Sequence, residues 1–266
     1  MRSFIILPAV FLLLSGLLSL SGCASNKPST DSNKIGIVLM HGKGGTTKWI
    51  DSLASDLHSA NILVSTPNMP WHSDRIYDKT FNASLLEIKK HVQNLKSQGA
   101  KKIYIAGHSL GAIAATGYGA QVGDVNGIIL LAPGHFTAWH AFNSTFKSDL
   151  AKAELMIANG NGNKTSMFND INGGTHYTRN VTAKIYKSWF APDEVAFLFN
   201  VAALPTDVAM LYIAGGADRY NETNNKHYAF NKAPHNKHNR YVTLNAKHLE
   251  VPSKSTNIIL DWVTTQ

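Results

Sequence analysis

The sequence predicts an α/β fold built on a mostly parallel sheet of about six strands with helices on both faces. Three observations lead to this prediction. Short apolar runs of strand length recur from residue 35 onward, stretches of helical spacing separate them, and a serine flanked by glycines stands between one such run and the next helix. Nearly continuous apolar runs are typical of strands covered on both faces, and their alternation with helices is typical of parallel sheets.

The first 33 residues are expected to lie outside this fold. Arg2 precedes an apolar stretch over residues 4–20, and Ser21, Gly22 and Cys23 follow it. A basic start, an apolar stretch and small residues before a cleavage site are typical of a secretory signal peptide. The segment that ends in Cys23 resembles the lipobox of bacterial lipoproteins. An uncleaved membrane anchor is the alternative, because the run is nearly long enough to span a bilayer.

The resemblance to a lipobox implies how the rest of the N-terminus is organised. Residues 1–22 would be removed as a signal peptide, and Cys23 would carry fatty acyl chains such as palmitate, with residues 23–33 as a flexible tether. The lipid would anchor the chain to the bacterial cell envelope, at the outer membrane of a Gram-negative host because Ala24 rather than Asp follows the cysteine. Residues 34–266 would form one domain.

Composition narrows the classes of function. The formal charge of +8 is spread along the chain without a dense basic block, which favours solubility and loose attraction to an anionic membrane over nucleic-acid recognition. Cys23 is the only cysteine, which excludes a disulfide framework and a cysteine-based metal site. His235 and His238 lack an acidic partner at ligand spacing, so a solvated loop is favoured over a metal site, and no cofactor is predicted.

The first half of the domain is predicted to alternate strand and helix. The apolar runs over residues 34–40 and 61–66 predict strands, and residues 49–60 have helical spacing. Residues 82–98 show the pattern of an amphipathic helix with one apolar stripe, and Gly99 is a typical helix stop.

A strand, a tight turn and a helix are predicted over residues 102–119. Residues 103–106 form a short apolar run, residues 107–111 have the pattern G-x-S-x-G around Ser109, and residues 112–119 are small enough to pack closely on a sheet. This arrangement resembles the nucleophile elbow of the α/β-hydrolase family, in which the serine hydroxyl is exposed above a helix N-terminus. The alternative is an ordinary turn whose serine caps the helix.

The family resemblance implies a reduced α/β-hydrolase fold. Buried strands are predicted over residues 125–133, 208–214 and 241–245, which makes six from Ile35 onward, and a closing helix is predicted over residues 254–264. The first two strands of the eight-stranded family pattern have no sequence to occupy.

Residues 134–207 interrupt the alternation, and the family implies a helical cap or lid there. Helical pieces are predicted around residues 148–159 and 193–201. The aromatic side chains of this segment could form an apolar ceiling for an acyl chain or hold a small subdomain together, and both interpretations stay open. These aromatic residues are Phe136, Trp139, Phe142, Trp189, Phe190, Phe197 and Phe199.

Two further polar residues directly follow predicted strands. Asp218 stands behind two glycines after the strand over 208–214, and His248 follows the strand over 241–245. The α/β-hydrolase family keeps its triad carboxylate and histidine at these places, so the resemblance implies a catalytic triad of Ser109, Asp218 and His248. An aspartate that only caps a helix is the alternative.

The segment His41-Gly42-Lys43-Gly44-Gly45 resembles the family loop that supplies one donor of the oxyanion hole. The resemblance implies the main-chain N–H groups of Lys43 and Leu110 as the two donors, each worth roughly 3 kcal/mol in the transition state. A phosphate-binding loop is disfavoured because G-x-x-x-x-G-K-[ST] is absent, and a plain glycine-rich turn is the alternative.

Five side chains are expected to line the substrate site, with packing as the alternative for Trp71 because it is a lone tryptophan. They are His41, His108, Trp71, Phe136 and Trp139. The family resemblance does not give His41 or His108 the role of the base.

The resemblance implies a serine hydrolase that cleaves carboxylic esters through an acyl-enzyme. The expected partners are a small-molecule or lipid ester and, through Cys23, the membrane; a monomer is expected, and nucleic acid is not. Thioesterase or acyltransferase chemistry on the same triad is one alternative, because fold alone does not decide the reaction. A lipoprotein that has lost catalysis and serves only in binding is another.

Overall fold

The computed structural model of the 266-residue chain describes Met1 and residues 34–220 and 224–266. The predicted signal-peptide cleavage, the lipidation of Cys23 and the tether lie outside the described residues. No helix within the described part of the chain is long and apolar enough to cross a membrane.

The strands form one six-stranded sheet and one separate hairpin. The larger sheet has the order β2-β1-β3-β4-β7-β8, and every neighbouring pair in it is parallel. The predicted six-stranded parallel sheet is therefore confirmed. In chain order the strands are β1 (Ile35–Met40), β2 (Leu63–Ser65), β3 (Lys102–His108), β4 (Gly127–Leu131), β5 (Thr165–Asn172), β6 (Thr175–Thr182), β7 (Ala209–Gly215) and β8 (Arg240–Leu244).

Helices cover both faces of this sheet. The helix α2 begins after Thr80, whose hydroxyl accepts a hydrogen bond from the Ala83 N–H at 3.3 Å, and it ends before Gly99, which has a φ of +95°. In chain order the helices are α1 (Asp51–Ser59), α2 (Phe81–Ser97), α3 (Leu110–Gln121), α4 (His140–Ala158), α5 (Ala183–Phe190), α6 (Pro192–Val195), α7 (Phe197–Ala202) and α8 (Thr256–Thr264).

Two apolar layers hold the helices against the sheet. One layer joins the sheet to α1 and α8, and the other joins it to α2, α3 and the cap segment. Small residues let α3 approach closely: a Cβ on Gly119 would lie 2.9 Å from Ile128 Cγ2, and one on Gly117 would lie 2.9 Å from Phe81 Cζ. Close packing of α3 matters because this helix begins at the predicted nucleophile.

The cap segment differs from the purely helical cap that the sequence predicts. The first cap helix, α4, starts at His140 and not near residue 148, and the antiparallel pair β5–β6 follows it. The hairpin turns at Gly173 and Gly174, whose φ values of 61° and 87° suit a tight turn. Polar residues occupy most of both strands, so no apolar run or alternation marks them in the sequence.

The predicted apolar ceiling is also smaller than expected. Phe199 of α7 is 72% exposed, so it covers neither the sheet nor the serine. The other six aromatic residues expected to form the ceiling are buried or pack against the core.

Candidate active site

The predicted nucleophile lies on a strained turn between β3 and α3. Ser109 is the N-cap residue of α3 with φ 55° and ψ −116°, and its N–H donates to the Leu131 carbonyl of β4 at 3.0 Å. A positive φ is unfavourable for any residue with a Cβ, so the surrounding packing must hold this conformation. Such strain is typical of functional sites.

The glycines of G-x-S-x-G are needed because the strand and the helix almost touch. A Cβ on Gly107 would lie 2.1 Å from the carbonyl carbon and oxygen of Gly111, and a Cβ on Gly111 would lie 2.8 Å from the carbonyl oxygens of Met40 and His41. All of these are main-chain atoms that cannot rotate away. The turn therefore accepts only glycine at both positions.

Asp218 and His248 meet across the ends of β7 and β8. Nδ1 of His248 donates to Oδ2 of Asp218 at 2.6 Å, and the Asp218 side chain is fully buried while that of His248 is 17% exposed. This bond fixes the imidazole tautomer and leaves Nε2 as the second ring nitrogen. An imidazole held in this way can accept a proton at Nε2 and share the resulting charge with the carboxylate.

A buried asparagine that the sequence analysis missed supports Asp218. Nδ2 of Asn224 donates to Oδ2 of Asp218 at 3.2 Å, and the Tyr220 N–H donates to Oδ1 at 3.0 Å. Asn224 is itself held by two hydroxyl groups, from Tyr212 at 3.1 Å to its Oδ1 and from Tyr241 at 2.6 Å to its carbonyl. No local pattern marks such an asparagine, because its partners lie on two different strands.

Ser109 and His248 converge on the same small space beside Gly134. A Cβ built on Gly134 would lie 2.8 Å from Oγ of Ser109 and 3.7 Å from Cε1 of His248. Within the described residues, no hydrogen bond joins the serine hydroxyl to the imidazole. Such bonds are often long before substrate binds, so this geometry is compatible with a nucleophile and its base.

Two cavities open on either side of Ser109. The first, the aromatic cavity, has a volume of about 250 Å³, and Phe136, Trp139, Phe142 and Phe146 are among its walls. The second has a volume of about 330 Å³. It runs along the glycine loop after β1, residues 42–45, to His248. Five residues border both cavities, namely Lys43, Ser109, Asn172, Arg219 and Tyr220.

The two predicted oxyanion donors stand next to the serine and keep their N–H groups free. A Cβ on Gly42 would lie 3.2 Å from Cβ of Ser109, so the loop before Lys43 touches the elbow. In the described part of the chain, neither the Lys43 N–H nor the Leu110 N–H donates to another protein group. Unpaired donors beside a nucleophile are available to an anion.

The Lys43 side chain makes a buried ion pair that the sequence does not predict. Its Nζ donates to Oδ1 of Asp170 on β5 at 2.7 Å and lies 5.2 Å from the centre of the Phe190 ring. Burial acts to raise the pKa of Asp170, but the neighbouring ammonium of Lys43 outweighs it and holds that pKa below its ordinary value. Burial also lowers the pKa of the Lys43 ammonium, and the Asp170 carboxylate opposes that shift.

Two other buried histidines near the site, His108 and His41, are neutral. His108 donates from Nε2 to the His248 carbonyl at 3.0 Å, and burial lowers its pKa to about 3. His41 donates from Nδ1 to the Gly42 carbonyl at 2.8 Å, and burial lowers its pKa to about 4. Both act as neutral supports for neighbouring loops.

The expected substrate-lining residues separate into two groups. Phe136 and Trp139 line the aromatic cavity, and His108 lines the second cavity. Trp71 and His41 line neither: Nε1 of Trp71 donates to the His41 carbonyl at 2.8 Å, so these two residues pack together behind the glycine loop. This packing role was the alternative that the sequence left open for a lone tryptophan.

Among the described residues, no group of three or more His, Cys, Asp or Glu side chains could hold a metal ion.

Comparisons with known proteins relate the chain to one large family. A family model described as the alpha/beta hydrolase family matches residues 37–253. No curated protein matches the sequence.

Solved structures share the fold at low identity. A monoacylglycerol lipase from Paleococcus ferrophilus is similar with a TM-score of 0.61 and 16% identity, over 86% of this chain and 94% of the other. A thermostable carboxyl esterase from Bacillus coagulans gives a TM-score of 0.62 and 16% identity, over 87% and 91%. Est1E from Butyrivibrio proteoclasticus, with ferulic acid bound, gives 0.55 and 18%, over 90% and 92%.

Proposed function

This chain belongs to the alpha/beta hydrolase family, and on that premise we propose that it hydrolyses carboxylic esters through an acyl-enzyme formed on Ser109. The observation that carries the proposal is the Asp218–His248 hydrogen bond of 2.6 Å beside a strained serine that opens onto two cavities. This arrangement of nucleophile, base and carboxylate suits acyl transfer.

Each residue has a role in the proposed reaction. Nε2 of His248 takes the proton of the Ser109 hydroxyl as Oγ attacks the ester carbonyl, and Asp218 stabilises the imidazolium that forms. The carbonyl oxygen becomes negative and accepts hydrogen bonds from the N–H groups of Lys43 and Leu110. The imidazolium then protonates the leaving alkoxide, and a water molecule activated by His248 releases the acid.

The size of the aromatic cavity favours small acyl groups. Its volume of about 250 Å³ lies just below the range of roughly 300–1,000 Å³ for pockets that enclose drug-sized ligands. We therefore expect acetyl and butyryl esters to be better substrates than palmitoyl esters.

The test uses residues 24–266 with p-nitrophenyl acetate, butyrate and palmitate, with a Ser109→Ala variant in parallel. We expect turnover to fall by about a thousandfold or more in the variant, as in removals of triad residues. The variant is essential because histidine-rich proteins release p-nitrophenol slowly without an active site. Equal, slow release from both proteins would overturn the ester-hydrolase proposal.

We propose in addition that the chain is anchored to the bacterial cell envelope through a lipid on Cys23. The support is the sequence alone: a basic start, an apolar stretch and a small pair before the only cysteine. In a bacterial host fed labelled palmitate, the full chain should carry the label and sediment with membranes. A Cys23→Ser variant should lose the label, and labelling that persists in the variant would contradict the proposal.

A further inference from the structure

The cap hairpin β5–β6 grips the glycine loop that carries a candidate oxyanion donor. Nζ of Lys43 donates to Oδ1 of Asp170 at 2.7 Å and to the Ile171 carbonyl at 3.0 Å, and Nδ2 of Asn172 donates to the Lys43 carbonyl at 2.9 Å. Three consecutive residues of β5 therefore hold one residue of the loop. These contacts cross 127 to 129 positions of sequence.

The contacts between β5 and Lys43 are buried and include an ion pair. The side chain of Lys43 is 7% exposed and that of Asp170 is fully buried, while Arg179 of β6 adds a longer contact of 3.4 Å from Nε to Oδ2 of Asp170. A buried ion pair contributes little net stability compared with an apolar pair of similar shape, because both charges lose their water. Stability alone therefore does not require these residues here.

The contacts fix almost every polar group around the candidate donor. The Lys43 side chain binds Asp170, its carbonyl accepts from Asn172, and the next N–H, from Gly44, donates to the Trp71 carbonyl at 2.8 Å. Unlike these three groups, the Lys43 N–H has no protein partner in the described part of the chain. The cap and the loop after β2 therefore hold the Lys43–Gly44 peptide, which directly follows the peptide that carries this N–H.

We propose that Asp170 and Asn172 are positioning residues. Through these two side chains the cap hairpin holds the glycine loop in its catalytic geometry. The inference rests on the proposed acyl transfer at Ser109. An oxyanion donor stabilises the transition state only at hydrogen-bond distance from the developing charge. A displacement of about 1 Å in a catalytic group can lower the rate by about a hundredfold.

The decisive variant replaces both members of the ion pair. Lys43→Met with Asp170→Leu keeps the main-chain N–H and similar shapes but removes the buried charges, so the fold should be retained. With p-nitrophenyl butyrate we expect kcat to fall about 10- to 100-fold with little change in KM, because the lost contact acts mainly in the transition state. The Ki of butylboronic acid, which forms a tetrahedral adduct on the serine, should rise by a similar factor.

A second pair of variants separates positioning from general loosening of the hairpin. Asn172→Ala removes the hydrogen bond to the Lys43 carbonyl, and we expect it to lower kcat about tenfold. Asn169→Ala is the matched control, because Asn169 lies on the same strand and donates to Oδ2 of Asp149 at 2.7 Å without touching the loop. The control should keep the wild-type kcat. If the double variant fails to fold, the comparison of Asn172→Ala with Asn169→Ala tests the positioning role by itself.

The outcomes are distinct. Wild-type kcat in the folded double variant, or equal losses in Asn172→Ala and Asn169→Ala, would overturn the positioning role and leave the ester-hydrolase proposal intact. Absence of Ser109-dependent turnover in the wild-type protein would overturn the proposed function and the positioning role with it.

Discussion

Arg219 places a positive charge at the cleft. It borders both cavities, and one of its guanidinium N–H groups donates to the Gly173 carbonyl at the hairpin tip. Among the described residues no carboxylate pairs with Arg219, and none lines either cavity, whereas the charge of Lys43 is balanced by Asp170. This positive charge at the two cavities that Ser109 borders should favour ester substrates that carry a negative group.

Replacing Arg219 should change this preference. The matched substrates are the p-nitrophenyl monoester of glutaric acid and p-nitrophenyl valerate, which differ by a carboxylate in place of a methyl group. In Arg219→Gln we expect kcat/KM for the anionic ester to fall about fivefold relative to the neutral one, because an exposed ion pair contributes up to about 1 kcal/mol. Added salt should reduce the wild-type preference in the same direction.

Lys226→Gln is the control for Arg219, because Lys226 is exposed and borders neither cavity. Its ratio of anionic to neutral kcat/KM should equal that of the wild-type protein. An unchanged ratio in Arg219→Gln would show that this guanidinium does not contact the substrate.

At the scale of elements, the cleft is built where several strands end at one edge of the parallel sheet. The elbow follows β3, Gly134 follows β4, and the glycine loop follows β1, while Asp218 and His248 come after β7 and β8. Parallel strands bring their carboxyl ends to the same edge, so residues far apart in the chain meet there without any special contact. The hairpin is different, because it reaches this edge only through contacts between particular side chains.

The hairpin tip also divides the cleft. Asn172 borders both cavities, Gly174 borders the aromatic cavity, and Gly173 borders the second one. A substrate that occupies both cavities would therefore contact this turn.

At the scale of the whole molecule, buried neutral histidines should make the protein sensitive to acid. Burial lowers the pKa of His41 to about 4 and those of His108 and His135 to about 3, from an ordinary value of 6.5. As pH falls below 6.5, the unfolded chain binds protons that the folded chain does not, so stability declines. Each such group contributes a slope of at most about 1.4 kcal/mol per pH unit.

The measurement is the urea midpoint of unfolding from pH 7.5 to 4.5. We expect little change above pH 7 and a steady decrease below about 6.5. A His135→Gln variant should show a shallower decrease, because Gln can still donate to the Trp189 carbonyl, which now accepts from Nε2 at 2.6 Å, but does not titrate. His58→Gln, at an exposed position of α1, should follow the wild-type curve, and a flat wild-type profile down to pH 5 would contradict the prediction.

The sequence by itself determined the framework of this molecule. The six strands, their mostly parallel arrangement and the strained turn at Ser109 followed from apolar runs, helical spacing and glycines at fixed offsets from the serine. Local patterns suffice for these features because strand burial and tight turns depend on residues a few positions apart. The expected meeting of Asp218 and His248 came from the resemblance to the α/β-hydrolase family.

Only the tertiary structure decided how the rest of the site is assembled. The Lys43–Asp170 pair, the support of Asp218 by Asn224 and the exposure of Phe199 have no local signature in the chain. The hairpin was missed because its strands are largely polar and depend on contacts with the glycine loop and α4. The contacts with the glycine loop join residues more than a hundred positions apart. Their energies depend on three-dimensional burial and charge that no short pattern encodes.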